Sequence, residues 1–161
     1  MSEIETRLAA LGLSLPAPMK LPPGVVLPFP WVRVHGDRAF ISGHGPLAPD
    51  GSIAQPLGKV GRELSLEQGY EAAKLTGLAI LSSLMAELGD LDRIVAWLRI
   101  FGMVNAGGDF TQFPAVVNGF TDLIASLYGP ERGQHSRSAV GLAGLPFEIP
   151  VEIEAELAIR V

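Results

Sequence analysis

Cysteine is absent from the 161 residues, which excludes disulfides and thiolate metal sites and fits a reducing compartment. Charge is scarce: 18% of residues are Asp, Glu, Lys or Arg, against about a quarter in an average soluble domain. Positive charge is scarcer still, with 12 Lys and Arg against 17 Asp and Glu and a net charge of −5. No basic cluster is available to meet phosphates, so nucleic-acid binding is not expected. No apolar run is long enough to span a bilayer. The segment Met1–Glu5 is acidic and has no apolar signal core, so the expectation is a cytoplasmic protein with no membrane partner. The three histidines, His35, His44 and His135, do not sit at metal-ligand spacings, and no metal site is expected. Gly58-Lys59-Val60-Gly61 lacks the spacing and the Ser/Thr of a phosphate loop. Ser42-Gly43-His44-Gly45 lacks the strand-to-helix elbow of a nucleophilic serine and marks instead a close approach of backbone to a ligand or neighbour.

What is present is apolar material. With 48% hydrophobic residues, a chain of this length has enough for one core and a surplus that subunit association would bury. Residues 1–161 are expected to form a single domain. Residues 2–11 repeat at helical spacing, with Ile4, Leu8 and Leu11 on one face and Gly12 as the stop. Pro16, Pro18, Pro22, Pro23, Pro28 and Pro30 then keep the chain extended over the surface. Strands are predicted over Trp31–His35 and Arg38–Ser42, joined by a tight turn at Gly36-Asp37. A Gly- and Pro-rich loop over 43–62 follows, with Asp50-Gly51 as a turn.

Ser65 and Gln68 form a capping box for a long helix whose stripe is Tyr70, Leu78, Leu81, Met85 and Leu88, ending at Gly89. Arg93–Val104 is an apolar strand without clean alternation, which suggests that both faces are covered. Pro114 opens a second helix with Val117, Phe120, Ile124 and Leu127 inward, and Gly129-Pro130 ends it. Ser136–Ala143 and Val151–Ile159 are the last two strands. The expected fold class is α+β, a two-layer sandwich in which two long helices cover one face of a mixed sheet. The other face then needs a second copy to cover it.

Alternation places Arg137 on one face of its strand with the small residues Ala139, Gly141 and Ala143. Two readings follow. Arg137 is a structural bridge to a carboxylate, or it anchors the carboxylate of a small ligand above a floor of small side chains, because its planar fork binds carboxylates in a bidentate way. In the last strand Glu152, Glu154 and Glu156 share one face. They form a solvated face, or Glu152 approaches Arg137, if the two strands are neighbours, and orients a water as general base.

The sequence also resembles a known family. Phe40-Ile41-Ser42-Gly43, Gly58-Lys59-Val60-Gly61, Leu88-Gly89-Asp90-Leu91-Asp92 and the ending Arg137-Ser138-Ala139-Val140, Leu145-Pro146, Val151-Glu152-Ile153-Glu154-Ala155 are similar to the Rid, or YjgF-like, family, formerly the endoribonuclease L-PSP family. The resemblance runs from about residue 24 to the end and leaves residues 1–23 as an N-terminal helix and Pro-rich extension. It implies a chorismate-mutase-like fold, a homotrimer and clefts between subunits. It also implies an imine deaminase activity without a cofactor, with Arg137 clamping the carboxylate of an imino or enamino acid, Glu152 handling the attacking water and Gly43 lining the pocket. Phe29 stands where well-studied members carry a Tyr, and Ala139 where they carry a Cys, so both belong to the implied substrate-binding set. A ligand-binding trimer without turnover, a sensor or regulator, is the alternative. An endoribonuclease, as the older family name suggests, fits the acidic balance least.

Overall fold

The computed structural model describes residues 2–161. Its elements are helix α1 (Glu3–Ala10), strands β1 (Val32–His35) and β2 (Arg38–His44), helix α2 (Leu66–Leu88), strand β3 (Ile94–Asn105), helix α3 (Phe113–Gly133), and strands β4 (Ser136–Leu142) and β5 (Val151–Ile159). The sheet order is β1-β2-β5-β3-β4. All neighbouring pairs are antiparallel except β3 with β4, which are parallel because α3 carries the chain back between them. Among the described residues no helix is long and apolar enough to cross a membrane.

Local chemistry fixes the helix starts. Ser2 with Glu5 and Ser65 with Gln68 form reciprocal capping boxes at α1 and α2, so the orphan N–H groups of each first turn are satisfied. Pro114 sits in the first turn of α3, where its missing N–H costs nothing. Gly89 ends α2 at a left-handed φ of 76°. The turn at Gly36-Asp37 joins β1 and β2 as the sequence predicts, with Gly36 at φ 60°. Strand β2 runs two residues further than the sequence predicts, to His44, and the loop that follows it is closed on itself by an isolated bridge, Leu47 to Ile53.

Helices α2 and α3 lie side by side over one face of the sheet. That face carries Ile41, Ile100, Ile153 and Leu157, all buried against Leu81, Leu84 and Phe120 of the helices. In β5 the burial alternates strictly, with Val151, Ile153, Ala155, Leu157 and Ile159 inward. The reverse face holds Phe40, Arg99, Phe101, Met103 and the three glutamates, and Phe40 is 43% exposed. Among the described residues no helix or strand crosses that face, which is covered in the single subunit by its own side chains, among them the Arg38–Glu156 ion pair. One half of the two-sided cover expected for β3 is therefore absent from the isolated chain.

Three local expectations are corrected. Leu11 is 51% exposed, because α1 ends at Ala10 and only Ile4 and Leu8 reach the core. Tyr70 and Met85 flank the buried stripe of α2; Ala73, Gly77, Ile80 and Leu84 occupy its centre, and Ala73 and Gly77 are small where α3 approaches closely. Gly129-Pro130 kinks α3 rather than ending it. Gly129 turns at φ 71°, and a further turn runs to Gly133, where Pro130 is tolerated because it opens a new turn.

Candidate functional site

Arg137 lies on β4, an edge strand. It is in register with Ile100, and Ala139 and Gly141 follow it on the same, helix-facing side. The small-residue row is not an open floor. A Cβ at Gly141 would lie 2.3 Å from the Phe113 ring, and one at Gly102 would lie 2.6 Å from Val117, so α3 fills the space above the row. Arg137 reaches up to α3 and donates to Thr121 Oγ1 at 2.9 Å, Asn118 Oδ1 at 2.7 Å and the Pro114 carbonyl at 3.2 Å. These three acceptors recur at helical spacing on one face of α3. All are neutral. Among the described residues no carboxylate lies within ion-pair distance of Arg137; the structure holds its guanidinium in place and leaves its charge unmatched. Among the described residues no further protein group meets the half-buried fork.

Glu152 lies elsewhere. Strand β5 does not neighbour β4, because β3 runs between them. Arg137 lies across from Ile100 and, beyond it, Ala155, so Glu152 is two strands over and three residues along. That is roughly 14 Å between Cα atoms at standard strand spacings. The two side chains also project from opposite faces of the sheet. The approach of Glu152 to Arg137 within one chain is thus overturned, for a topological reason: a crossover through α3 puts β4 on the edge, while β5 inserts at the centre.

Glu152 instead touches Gly43. A Cβ at Gly43 would sit 2.9 Å from Glu152 Oε1, so only glycine lets β2 pass so close to the carboxyl. A β-bulge between Ile41 and His44 re-aims the strand here. Half-burial pushes the Glu152 carboxyl above its ordinary range, and Glu154 on the same face adds to the rise. Beside this pair opens a cavity of about 680 Å³. Its walls come from the Pro-rich segment, the end of β2, α2 and the turn before β5, and Phe29, Gly43 and Glu152 all line it. Arg137 and Ala139 do not.

The sequence reading missed His44, Trp31 and Phe147, which also line the cavity. His44 is 5% exposed. Its Nδ1 lies 2.6 Å from the Ser42 carbonyl oxygen and its Nε2 2.9 Å from Ser83 Oγ. A carbonyl oxygen only accepts, so Nδ1 carries the proton and Nε2 accepts from Ser83. Burial pushes the His44 pKa down to about 4, so the ring is neutral. The Asn118 and Thr121 partners of Arg137 did leave a signal: polar residues four and seven positions after Pro114, set among Val116, Val117, Phe120 and Leu123. Nothing local signals the cavity, because its walls are distant in sequence. Among the described residues no group of three or more His, Cys, Asp or Glu is placed to hold a metal ion.

Similarity to known proteins agrees with this architecture. No family model matches the chain. Protein TCP17 of Trypanosoma cruzi is 36% identical over 152 residues, which cover 94% of this chain and 91% of that protein. The crystal structure of a protein of unknown function from Agrobacterium tumefaciens superposes with a TM-score of 0.85 at 35% identity, over 98% of this chain and 94% of that one. A candidate endoribonuclease from Shewanella oneidensis superposes with the same TM-score, 0.85, at 26% identity, over 97% of this chain and 99% of that one. RidA from an Antarctic Psychrobacter shares the fold at 18% identity, with a TM-score of 0.55 over 90% of this chain and 94% of its own. The motifs quoted above, the five-stranded mixed sheet under two long helices and these likenesses lead to one conclusion: the chain belongs to the Rid, or YjgF-like, family.

Proposed function

We propose that this protein hydrolyses a reactive 2-imino or enamino acid to a 2-keto acid and ammonia, at a cleft formed when three copies associate. The observation that carries this reading is the unmatched charge of Arg137, braced by neutral oxygens of α3 and left for a ligand carboxylate. A bridge from Arg137 to a carboxylate finds no partner among the described residues. Arg137 and Glu152 face opposite sides of one sheet, so a ligand that meets both must lie between subunits. The reverse sheet face, with Phe40, Phe101 and Met103, offers apolar surface for that association.

In this mechanism Arg137 of one subunit fixes the carboxylate, and the C=N carbon of the protonated imine lies near Gly43 and Glu152 of the next. Water adds to that carbon as the C=N π electrons move to nitrogen. The Glu152 carboxylate takes the proton from the water and returns one to the nitrogen. The C–N bond then breaks as the Glu152 carboxylate, free again, takes the hydroxyl proton; ammonia leaves with the C–N electron pair, and the hydroxyl carbon becomes the keto carbon. The raised affinity of Glu152 for protons suits both transfers. No cofactor is called for, since the protonated imine is already electrophilic and positioning supplies the rest.

A ligand-binding trimer without turnover shares Arg137 and differs at Glu152. The test is ammonia and keto-acid release while an amino-acid oxidase generates imino acids, compared among wild type, Arg137→Ala and Glu152→Gln. Acceleration by wild type, lost in both variants, is expected. Keto-acid binding that persists with no acceleration in any of them would leave the binding-only reading standing. The name of the Shewanella relative points to RNA cleavage, but a net charge of −5 and the lack of a basic cluster give RNA little to hold.

A further inference from the structure

The cavity beside Gly43 and Glu152 is larger and drier than a small imino acid needs. We propose that it receives the side group of the substrate, and that this group is a large apolar one, an aromatic ring or a branched aliphatic chain; the inference rests on the deaminase reading for the placement of the reacting carbon.

Size is the first argument. A volume of about 680 Å³ falls within the range of roughly 300–1,000 Å³ typical of sites that enclose a whole organic ligand. The second argument is the state of the polar groups in the walls. Both His44 nitrogens are engaged, by Ser42 and Ser83, so the ring presents its face and not a donor. Ser82 Oγ donates to the Pro16 carbonyl. The carboxylates of the walls are Glu152, which the proposed reaction uses, and the exposed Glu87; beside His44 and Ser82 a hydroxyl or anionic side group would leave water and find the donors already taken, whereas an apolar group loses nothing. The aromatic rings are already arranged as a wall: Trp31 lies 4.8 Å from His44 and 5.9 Å from Phe29 between ring centroids.

The wall is also built to stay in place. The Pro-rich segment is tied down along its length by Ala17 N–H to the Pro49 carbonyl, Lys20 N–H to the Gly51 carbonyl and Ser42 Oγ to the Pro30 carbonyl. A Cβ at Gly51 would lie 2.2 Å from the Pro18 carbonyl oxygen, so the loop has yielded a side chain to let the segment lie against it. At the mouth, Phe147 holds a left-handed φ of 57° and is 59% exposed. A bulky residue in that conformation is strained, and such strain gathers at ligand clamps.

The experiment is calorimetric titration of the full chain with pyruvate and with phenylpyruvate, product analogues that differ only in the side group. It is repeated on Ala86→Phe, which fills the cavity from an exposed position on α2, with a melting curve to confirm folding. Phenylpyruvate is expected to bind at least about tenfold more tightly than pyruvate, and Ala86→Phe is expected to bring the two within about twofold of each other. Equal affinities in wild type, or a preference untouched by Ala86→Phe, would overturn the inference. A strong preference for phenylpyruvate in a protein that accelerates no imine hydrolysis would support it while refuting the deaminase reading alone.

Discussion

Lowering the pH tests the burial of His44 directly. In the folded chain the ring is 5% exposed and neutral, with a pKa pushed down to about 4 from an ordinary 6.5, chiefly by desolvation; the hydrogen bond to the Ser42 carbonyl works the other way and only softens the shift. A depressed histidine favours the unfolded state once that state takes up the proton. Its contribution to stability is therefore complete above pH 6.5 and is lost as the pH falls toward 4. With those two values, moving from pH 7 to pH 4.5 costs about 2 kcal/mol from this residue. Half-buried His135 shifts in the same direction, and Glu152, raised by burial, in the opposite one, so the clean reading is a difference between proteins. Urea denaturation of wild type and His44→Gln at both pH values isolates it, because the variant shares every other titrating group. Wild type should lose about 2 kcal/mol more than the variant over this interval. Equal losses would refute the reasoning and mean that His44 meets solvent or a compensating charge.

Arg137→Lys should weaken 2-keto-acid binding about as much as Arg137→Ala, by roughly tenfold to a hundredfold in calorimetry, because the ammonium keeps the charge but loses the fork; a variant that melts early yet binds normally would make Arg137 a brace only. Gly119→Ala should destabilise the fold by about 3 kcal/mol in denaturant titration, since its Cβ would lie 1.9 Å from the Tyr70 carbonyl oxygen where α2 and α3 touch; unchanged stability would show that the helices separate easily. Light scattering after size-exclusion chromatography should give the mass of three copies at micromolar concentration, and a monomeric mass would remove the cleft on which the proposed chemistry depends.

The legible part of this fold is its local chemistry. Ser65 with Gln68, Gly36-Asp37, Pro114 and the strict alternation of Val151–Ile159 each name their element, because caps, turns and period-two burial act within a few residues. Local signals also misled where tertiary packing overrode them: Gly129-Pro130 reads as a stop, yet the chain resumes a helical turn behind it. Strand order was out of reach, since periodicity records which face a residue takes but not which strand lies beside it. That is why Glu152 seemed within reach of Arg137. For the same reason the cavity is invisible in the sequence, where Trp31, His44, Ser83 and Phe147 are single residues in unrelated segments. The Arg137 partners were closer to legible, as polar steps on the inner face of α3.

The sheet order carries a consequence for how the chain is made. Strand β5 is the last of the five to leave the ribosome, yet it is the central one, paired with β2 on one side and β3 on the other. Until it arrives, β1–β2 and β3–β4 are separate half-sheets with no hydrogen bond between them, and a two-stranded piece is marginal in water by itself. The nascent protein therefore holds its apolar strand β3 unsatisfied along one edge from the time it is made until β5 follows, an edge open to mispairing. Closure comes late and at long sequence separation, which predicts slow folding for a domain of this size. A chain that stops at Pro150 has its helices and four of its five strands, but not the strand that joins its two half-sheets.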